Sequence, residues 1–368
     1  MATEPIPQID LAPLHTALRA DIDASIRAVI DAGSFVLGET LARFEQACAD
    51  YLGVPHAIGV ASGTDALLIA LRAAGIGQGD EVITSAFSFF GSVEAILHAG
   101  ATPVFADIEA GSMTLDAEDV ARKITRRTRA IMPVHMFGQI GEIDSLLELA
   151  EAHDLVVIED AAQAFGARFN GRLAGSFGHA GCFSFHPAKP LGALGDGGML
   201  VTVDDALAAE AKRLRDHGSR ARYDHVSVGY NSRLDALQAA VLEVKLRHLE
   251  AHLAERERLA RRYRELLSGT ALVLPETLPE RRHVFAQFTV RSERRDNVCE
   301  AMRARGIGCA VHYPQPLYRQ AAIAERYRDM NLEVTEAVCA SCLSLPLFQG
   351  LTEEQQQRVA DVLMEAGA

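Results

Sequence analysis

The sequence has few cysteines, no long apolar run and no basic leader. Six cysteines are scattered through 368 residues, and stretches such as ALLIALRAAGIG are interrupted by Arg or Gly well before the ~20 residues that span a bilayer. The N-terminal segment carries Glu4 and Asp10 where an export signal needs a basic patch and then an apolar run. We therefore expect a cytoplasmic protein, with no membrane span, whose cysteines are free thiols. The CASC segment has no second Cys or His pair at zinc spacing, so no metal site is predicted.

Positive charge is also in short supply. Lys and Arg number 36 against 49 Asp and Glu, which gives a formal net charge of -13. This balance disfavours a nonspecific grip on nucleic acid or on an anionic membrane. The composition is that of an ordinary globular chain, with 49% hydrophobic and 23% charged residues. The length excludes a mini-protein scaffold and predicts more than one domain.

Short β-branched segments alternate with helical patterns from residue 56 to 202. The strand-like segments are HAIGV, EVITS, TPVFAD, RAIMPVH, LVVIED, GCFSF and GGMLVT. Many are apolar without alternation, which is typical of strands that helices cover on both faces. We predict an α/β fold with a mostly parallel central sheet in a large domain, residues 1–250 with an N-terminal arm. A long helical pattern over 233–267 connects it to a smaller α+β domain, residues 251–368, which includes FAQFTVRS, GCAVHY and a closing helix.

Three loops carry polar residues where strands end. Ser62, Gly63 and Thr64 lead from a strand into a helix, whose free amides can bind an anion; the simpler interpretation is a helix cap made by Thr64 or Asp65. Asp160 ends an apolar strand, at the edge where open α/β sheets bind ligands, and either faces a cationic partner or caps the next helix.

Gln163 follows Asp160 by three residues and can face the same cleft. Lys189 follows another strand in a rigid loop between Pro187 and Pro190. Burial there would lower the pKa of its ammonium and free an amine for Schiff-base chemistry.

The motifs SGTDAL, EDAAQA, FSFHPAKPLGALGDGG and GYNSRLDALQAAVL occur in one order. With them the chain resembles the DegT/DnrJ/EryC1/StrS family of pyridoxal-phosphate sugar aminotransferases, which have the aspartate aminotransferase fold, fold-type I. The resemblance runs from about residue 8 to 365 and includes VHMFGQIGEIDSL, HYPQPLYRQ and LSLPLFQGLT. Four linked motifs make a strong signal, whereas each alone would be weak.

The resemblance implies a role for each matching residue. Lys189 would form the internal aldimine with pyridoxal 5'-phosphate, and Asp160 would keep the ring nitrogen protonated. Gln163 would contact the phenolic oxygen, and Phe89 would stack on the ring unless it is a core side chain like its neighbours. The implied phosphate ligands are Gly63, Thr64, Ser184 and, from the second subunit of a homodimer, Asn231. His312 and Tyr313 would line the sugar site or simply pack at a strand end.

The implied reaction moves an amino group from glutamate, through pyridoxamine phosphate, to a keto sugar on a nucleoside diphosphate. The KPLGALGDGG loop is similar to that of members that aminate carbon 3, whereas 4-keto enzymes more often have a TTGEGG-like stretch. Arginines that would meet the pyrophosphate are not assigned. His135, His186 and His217 are interpreted as structural. Pro190 and Tyr318 depart from the common Asn and His of the family, and the second departure puts substrate contacts there in doubt.

Other functions remain open at this stage. A 4-keto sugar or a cyclitol ketone such as an inosose is an alternative acceptor, and a need for the nucleotide separates the cyclitol from the others. A pyridoxamine-phosphate sugar dehydratase typically has His at the lysine position, so Lys189 argues against it. A noncatalytic regulatory member would have no need of both Lys189 and Asp160.

Overall fold

The computed structural model describes residues 4–367, which form a seven-stranded sheet flanked by helices and a second, smaller α+β unit. The helices are α1 (Ala12–Ala17), α2 (Arg19–Ala32), α3 (Gly38–Leu52), α4 (Gly63–Ala73), α5 (Gly91–Ala99), α6 (Ala117–Lys123), α7 (Ile143–His153), α8 (Asp205–Leu214), α9 (Ala236–Arg247), α10 (Leu249–Leu266), α11 (Arg295–Ala304), α12 (Glu333–Ser341) and α13 (Glu353–Glu365).

The strands of the large sheet are β1 (His56–Val60), β2 (Glu81–Ser85), β3 (Thr102–Ala106), β4 (Thr128–Met132), β5 (Val156–Asp160), β8 (Ala180–Ser184) and β9 (Gly198–Thr202). The remaining strands are short: β6 (Arg168–Phe169), β7 (Arg172–Leu173), β10 (Ser219–Ala221), β11 (Asp224–His225), β12 (Arg281–Arg282), β13 (Phe288–Arg291) and β14 (Cys342–Leu345). Each of the seven segments predicted as a strand is therefore a strand, with ends within a few residues of the prediction.

The large sheet has the order β1-β9-β8-β5-β4-β2-β3. Strands β8, β5, β4, β2 and β3 pair in parallel, and β9 alone runs antiparallel to both of its neighbours. The mostly parallel sheet is thus confirmed. The carboxyl ends of β5, β8, β4 and β2 lie side by side at one edge, where the loops that follow them can converge on one site.

Helices cover the large sheet on both faces because its strands are apolar on both sides. Ile158 of β5 belongs to the hydrophobic cluster that α4, α5 and α8 complete, whereas its neighbour Val157 belongs to the opposite cluster with α3 and α7. Both side chains are fully buried. The absence of alternation in LVVIED has this physical cause.

The helical pattern over 233–267 forms two helices, and no Pro or Gly in the sequence indicates the break between them. Helix α9 ends at Arg247 and α10 begins at Leu249, with His248 between them. The amide of His248 donates to the carbonyl of Lys245 at 3.1 Å, which closes a tighter turn. Leu249 and Leu253, in the first two turns of α10, are fully buried.

The C-terminal unit has its own hydrophobic cluster around β13, β14, α11 and α13. The N-terminal arm joins it, because Ile6 forms a parallel bridge with Ile307. The segment GCAVHY of this unit is not a regular strand: it makes one isolated bridge, Ala310 with Ser344, and otherwise runs irregularly. It carries His312 and Tyr313 to the edge of the large sheet.

Two further findings concern the residues described here. No helix within residues 4–367 is both long and apolar enough to cross a membrane. All six cysteines are unpaired.

Candidate active site

One cavity of about 570 Å³ opens where the carboxyl ends of the parallel strands meet. Loops from both the large sheet and the C-terminal unit contribute to its wall. The predicted residues that line it are Gly63, Thr64, Phe89, Asp160, Gln163, Ser184, Lys189, His312 and Tyr313. Nine side chains or backbone positions, separated by as much as 250 residues in the chain, are therefore brought to one place. Asn231 is the exception.

The first turn of α4 forms one end of the cavity. Its N-cap is Ser62, whose hydroxyl accepts from the amide of Asp65 at 3.1 Å, so the prediction of a cap at Thr64 or Asp65 was wrong. The amides of Gly63 and Thr64 donate to no acceptor within residues 4–367. A Cβ at Gly63 would lie 2.7 Å from the Cβ of Ser184. Only glycine lets the helix end approach this serine, and the result is a small polar cradle for an anion.

Asp160 lies at the end of β5 and is almost fully buried. Its Oδ2 accepts from the hydroxyl of Ser92 at 2.7 Å, and its Oδ1 accepts from the amide of Ala162 at 3.2 Å. Burial raises the pKa of this carboxyl, while the two hydrogen bonds and the nearby Lys189 and His135 act in the opposite direction. The bond to Ala162 is local, but Asp160 also faces the cavity, so it is more than a helix cap.

Lys189 follows β8 in a loop with an unusual backbone. Its amide donates to the carbonyl of His186 at 2.9 Å, and a Cβ at Gly192 would lie 2.3 Å from the carbonyl oxygen of Pro187. The loop is therefore tightly folded on itself. Burial lowers the pKa of the Lys189 ammonium, and the charge of Asp160 partly opposes this shift. Deprotonated amine is what nucleophilic and base chemistry at this position needs.

Phe89 is an aromatic residue of the cavity wall whose side chain is largely exposed. It is 61% exposed, whereas Phe87 is 1% exposed and packs among other apolar residues. Its ring lies 6.5 Å from the ring of Tyr313, measured between centroids. Of the three neighbouring phenylalanines, the structure thus distinguishes Phe89 from a core residue and leaves its face free for a flat ligand.

Gln163 is held in one orientation. Its Oε1 accepts from the amide of Phe137 at 2.8 Å, so its Nε2 is the donor that faces the cavity. That donor lies 3.4 Å from the hydroxyl of Tyr313. The arrangement presents an amide N–H to an oxygen bound near Tyr313.

His312 connects the cavity to the C-terminal unit. Its Nδ1 lies 2.9 Å from the hydroxyl of Ser344, which in turn lies 2.9 Å from the hydroxyl of Thr289. Burial, and then the charge of Lys189, lower the pKa of the His312 imidazole. A neutral imidazole therefore stands beside the lysine.

Two residues that the sequence analysis names, Asn231 and Tyr318, do not line the cavity. Asn231 is exposed and pairs through its backbone with Asp216, away from the cavity wall. Tyr318 is fully buried and donates to Glu336 at 2.8 Å, so it is a packing residue.

The three remaining histidines differ from one another. His135 is buried, with its Nε2 2.8 Å from Glu159, and the His217 amide donates to the carbonyl of Tyr230. The buried His135 is structural, as expected, whereas the side chain of His217 is exposed. His186 is exposed and lines the cavity, and its Nδ1 accepts from the amide of Ala188 at 3.4 Å.

Several wall residues were not identified from the sequence. These are Ser88 and Ser92 in the loop before and at the start of α5, Ile9 of the N-terminal arm, Asp196, and Gln287 of the C-terminal unit. The spacing of the two serines, four residues apart at the start of a helix, was a usable signal. Ile9 and Gln287 reach the cavity only through long-range packing, for which one sequence holds no signal.

The donors of this cavity fit pyridoxal phosphate. The free amides of α4 and the Ser184 hydroxyl suit its phosphate, and the buried Asp160 suits its ring nitrogen. The exposed face of Phe89 suits its aromatic ring, and the Lys189 amine suits its aldehyde. Together, these features provide a partner for the phosphate, the ring nitrogen, the ring face and the aldehyde of pyridoxal phosphate.

Comparison with known proteins gives the same result. Residues 16–364 match the sequence profile of the DegT/DnrJ/EryC1/StrS aminotransferase family. A UDP-N-acetyl-3-dehydro-alpha-D-glucosamine 3-aminotransferase of Acidithiobacillus ferrooxidans is 45% identical, with 97% of each chain covered. A pleiotropic regulatory protein of Geobacillus stearothermophilus is 42% identical, with 98% of each chain covered.

Among solved structures, Streptomyces venezuelae DesV in complex with a ketimine intermediate is similar over 100% of both chains. The TM-score is 0.97 and the sequence identity is 43%. The aspartate aminotransferase fold, fold-type I, that the motifs predicted is therefore confirmed.

Proposed function

Because the chain belongs to the DegT/DnrJ/EryC1/StrS aminotransferase family, we propose that it transfers the amino group of glutamate to carbon 3 of a keto sugar carried on a nucleoside diphosphate. The chain is an aminotransferase that uses pyridoxal phosphate. The observation that carries the proposal is the convergence of Lys189, Asp160 and the α4 amides on one cavity. The similarity to a 3-aminotransferase acting on a UDP-linked sugar supports carbon 3 and the nucleotide.

Different residues of the cavity would bind different parts of the cofactor. The amides of Gly63 and Thr64 and the hydroxyl of Ser184 bind its phosphate. Gln163 donates from Nε2 to its phenolic oxygen, and Phe89 covers one face of its ring. When bound, pyridoxal phosphate carries the amino group between the two substrates and withdraws electrons from the reacting carbon.

Lys189 is the acid and base of the reaction. Its amine, with a pKa lowered by burial, would take the proton from the α-carbon of glutamate and deliver it to the former aldehyde carbon of the cofactor within the same half-reaction. In the second half-reaction it would move a proton the opposite way, from that carbon to carbon 3 of the sugar. The hydrogen bonds that Asp160 accepts favour its ionised form, which would keep the ring nitrogen protonated. The two residues therefore act at opposite ends of one conjugated system.

The sugar enters between the two units of the molecule. His312 and Tyr313 line the cavity from the C-terminal unit, and they would contact the sugar ring. Neutral His312 accepts or donates one hydrogen bond without repelling the lysine. Their position on an irregular segment of the C-terminal unit lets the sugar site vary while the cofactor site stays constant.

The active unit is a homodimer in which Asn231 reaches the phosphate of the second site. Two observations support this proposal. Asn231 is exposed and lies outside its own cavity. Next to its loop, Phe35 and Val36 are about half exposed, and the amide of Ala236 donates to the carbonyl of Phe35. Exposed apolar side chains beside a functional loop are typical of an interface.

The division at residue 250 is also a proposal. The separate hydrophobic cluster around β13 and β14 supports a C-terminal domain over 251–368, although Leu253 packs with the large sheet. Residues 1–3 and 368 of these bounds lie outside the described part of the chain. Six unpaired cysteines suit the cytoplasm, where thiols stay reduced.

Two other acceptors and a noncatalytic role compete with this proposal. A 4-keto nucleotide sugar would require the same cofactor residues and a different sugar wall. A cyclitol ketone would require no nucleotide. The similarity to a pleiotropic regulatory protein is consistent with a regulatory role. However, a noncatalytic protein would have no need of an amine of lowered pKa near Asp160.

The decisive experiment offers glutamate with a matched panel of acceptors. The panel holds nucleotide-linked 3-keto sugars, nucleotide-linked 4-keto sugars and a free inosose, and mass spectrometry detects the amino product while an enzymatic assay detects 2-oxoglutarate. We expect both products only with a nucleotide-linked 3-keto sugar. Turnover of the 4-keto sugar or of the inosose would replace the proposed substrate by that alternative.

A mixed-dimer experiment tests the shared site. Lys189→Ala and Asn231→Ala chains are each impaired, but a mixed dimer contains one site in which neither substitution is present if Asn231 serves the other subunit. We expect mixing to restore activity to part of the wild-type value. No restoration upon exchange of subunits would place Asn231 with its own chain.

A further inference from the structure

A chain of three hydrogen-bonding groups runs from the loop before α5 to Asp160. The hydroxyl of Ser88 lies 2.8 Å from the hydroxyl of Ser92, and the Ser92 hydroxyl lies 2.7 Å from Oδ2 of Asp160. The side chains are 4%, 2% and 4% exposed in that order. All three therefore interact in a medium of low dielectric, where each hydrogen bond is stronger than in water.

The chemistry of the groups fixes the direction of the chain. An ionised carboxylate can only accept, so Ser92 must donate its single proton to Asp160. Ser92 is then left with acceptor capacity alone, and Ser88 must donate to Ser92. The O–H dipoles of both serines consequently point toward the carboxylate. A hydroxyl that itself receives a hydrogen bond is polarised and becomes a better donor.

The Ser92 hydrogen bond favours the ionised form of Asp160, which burial disfavours. Burial raises the pKa of Asp160, and the Ser92 hydrogen bond is the largest effect that opposes it, followed by the Ala162 amide and the charges of Lys189 and His135. Asp160 in turn acts on its titratable neighbours: beside burial, its charge raises the pKa of Tyr313 and of Cys182, and it opposes the lowering of the pKa of Lys189. A protonated Asp160 would lose the negative charge that favours a proton on the cofactor ring.

One short segment carries both the exposed aromatic side chain of the cavity and the two serines that lead to Asp160. Residues 88–92 carry Phe89, whose exposed face points into the cavity, as well as the two serines. A Cβ at Gly91 would lie 2.8 Å from Oγ1 of Thr64 and 3.1 Å from the Phe89 ring. The segment is thus packed against the phosphate cradle, and Ser92 is fixed relative to Phe89.

We propose that Ser92, polarised by Ser88, is a positioning residue that keeps Asp160 ionised and so sets the protonation of the cofactor's ring nitrogen. The proposal rests on the function above, in which Asp160 faces that nitrogen. Ser92 itself need not touch cofactor or substrate. It acts through one oxygen of Asp160 and leaves the carboxylate with further acceptor capacity for the ring N–H.

The test measures the ring nitrogen directly. Wild-type and variant holoenzymes are loaded with pyridoxal phosphate labelled with ¹⁵N in the ring, and the ¹⁵N chemical shift is followed over a pH series. For Ser92→Ala we expect the midpoint of the ring-nitrogen titration to fall by about one pH unit, which is a tenfold loss of proton affinity. Ser88→Ala should move it in the same direction by a smaller amount, and Ser92→Thr, which keeps the hydroxyl, should restore it.

Ser85→Ala is the matched control. Ser85 is buried at the end of β2, just before this segment, but its hydroxyl bonds with the backbone of Phe87 and has no hydrogen bond to a carboxylate among the described residues. It should leave the titration unchanged. The catalytic turnover should follow the same order, with kcat lowered in Ser92→Ala while KM for glutamate changes little.

The outcomes separate this proposal from the function on which it rests. If the midpoint falls in Asp160→Ala but not in Ser92→Ala, the serine relay is wrong and the role of Asp160 stands. If Asp160→Ala also leaves the ring nitrogen unchanged, the assignment of Asp160 itself fails. An equal shift in Ser85→Ala and Ser92→Ala would show a general effect of loop packing and would overturn the relay.

Discussion

At the residue scale, Asp160 and Lys189 show how burial acts in opposite directions on an acid and a base. Burial raises the pKa of Asp160 and lowers that of Lys189, since in each case it disfavours the charged form. The acid is supplied with two hydrogen-bond donors, and the base is not held in any side-chain hydrogen bond within residues 4–367. The two hydrogen bonds thereby oppose the effect of burial on the acid, whereas burial favours the neutral amine of the base.

The substitution Lys189→Ala tests the second half of this contrast. It removes the amine from a loop whose fold depends on backbone contacts, so we expect the melting temperature to stay close to that of the wild type. Transamination should fall by about 10³-fold or more, because general acid and base catalysis is lost. Steady-state kinetics with glutamate provide the measurement.

Lys212→Ala is the control, since Lys212 is an exposed lysine on α8. It should retain wild-type turnover. Near-normal turnover in Lys189→Ala would remove Lys189 from the chemistry.

At the scale of elements, the sheet could be predicted and its connections could not. Apolar, β-branched segments such as LVVIED and EVITS predict buried strands because their pattern reflects cover on both faces. The break at His248 has no local cause such as Pro or Gly, whereas Pro314 follows directly after GCAVHY and disfavours a regular continuation of that segment. Nine of the ten predicted site residues line one cavity and Asn231 does not, while Gln287 and Ile9 were missed because distant segments bring them there.

The start of α4 supports a prediction on cofactor binding. Gly63→Ala adds a Cβ 2.7 Å from that of Ser184, so the helix end must move away from the cradle. We expect the dissociation constant of pyridoxal phosphate to rise about tenfold or more, since 1.4 kcal/mol of lost binding energy has that effect. Fluorescence or absorbance titration of the apoenzyme with cofactor measures it.

Gly77→Ala is a suitable comparison. The nearest atom to its added Cβ is the carbonyl oxygen of Ala99 at 3.4 Å, outside the cavity. This variant should bind the cofactor normally. Equal affinities for Gly63→Ala and the wild type would show that α4 does not hold the phosphate.

At the scale of the whole molecule, buried neutral histidines link stability to pH. Burial lowers the pKa of His283 to about 3 and, helped by the charges of His248 and Lys245, that of His252 to about 4. The unfolded chain binds protons at these positions below pH 6.5, while the folded chain does not. The free energy of unfolding therefore decreases as the pH falls below 6.5, and these residues contribute no pH dependence above it.

Thermal unfolding between pH 4 and 8 checks this. We expect the melting temperature to fall on acidification below pH 6.5, and the fall between pH 7.5 and 5 to be smaller in His252→Gln by about 2 °C or more. The exposed His153 offers a control substitution, His153→Gln, that should keep the full decrease. An identical decrease in His252→Gln would mean that His252 is not held neutral by the fold.

The whole account converges on one absorbance experiment with the intact, cofactor-loaded protein. The account predicts a visible band from the cofactor joined to Lys189, its loss when glutamate is added, and its return when a nucleotide-linked 3-keto sugar follows. A band that glutamate leaves unchanged would contradict the proposed amino donor and half-reaction. No band in the loaded protein would contradict the central role of Lys189.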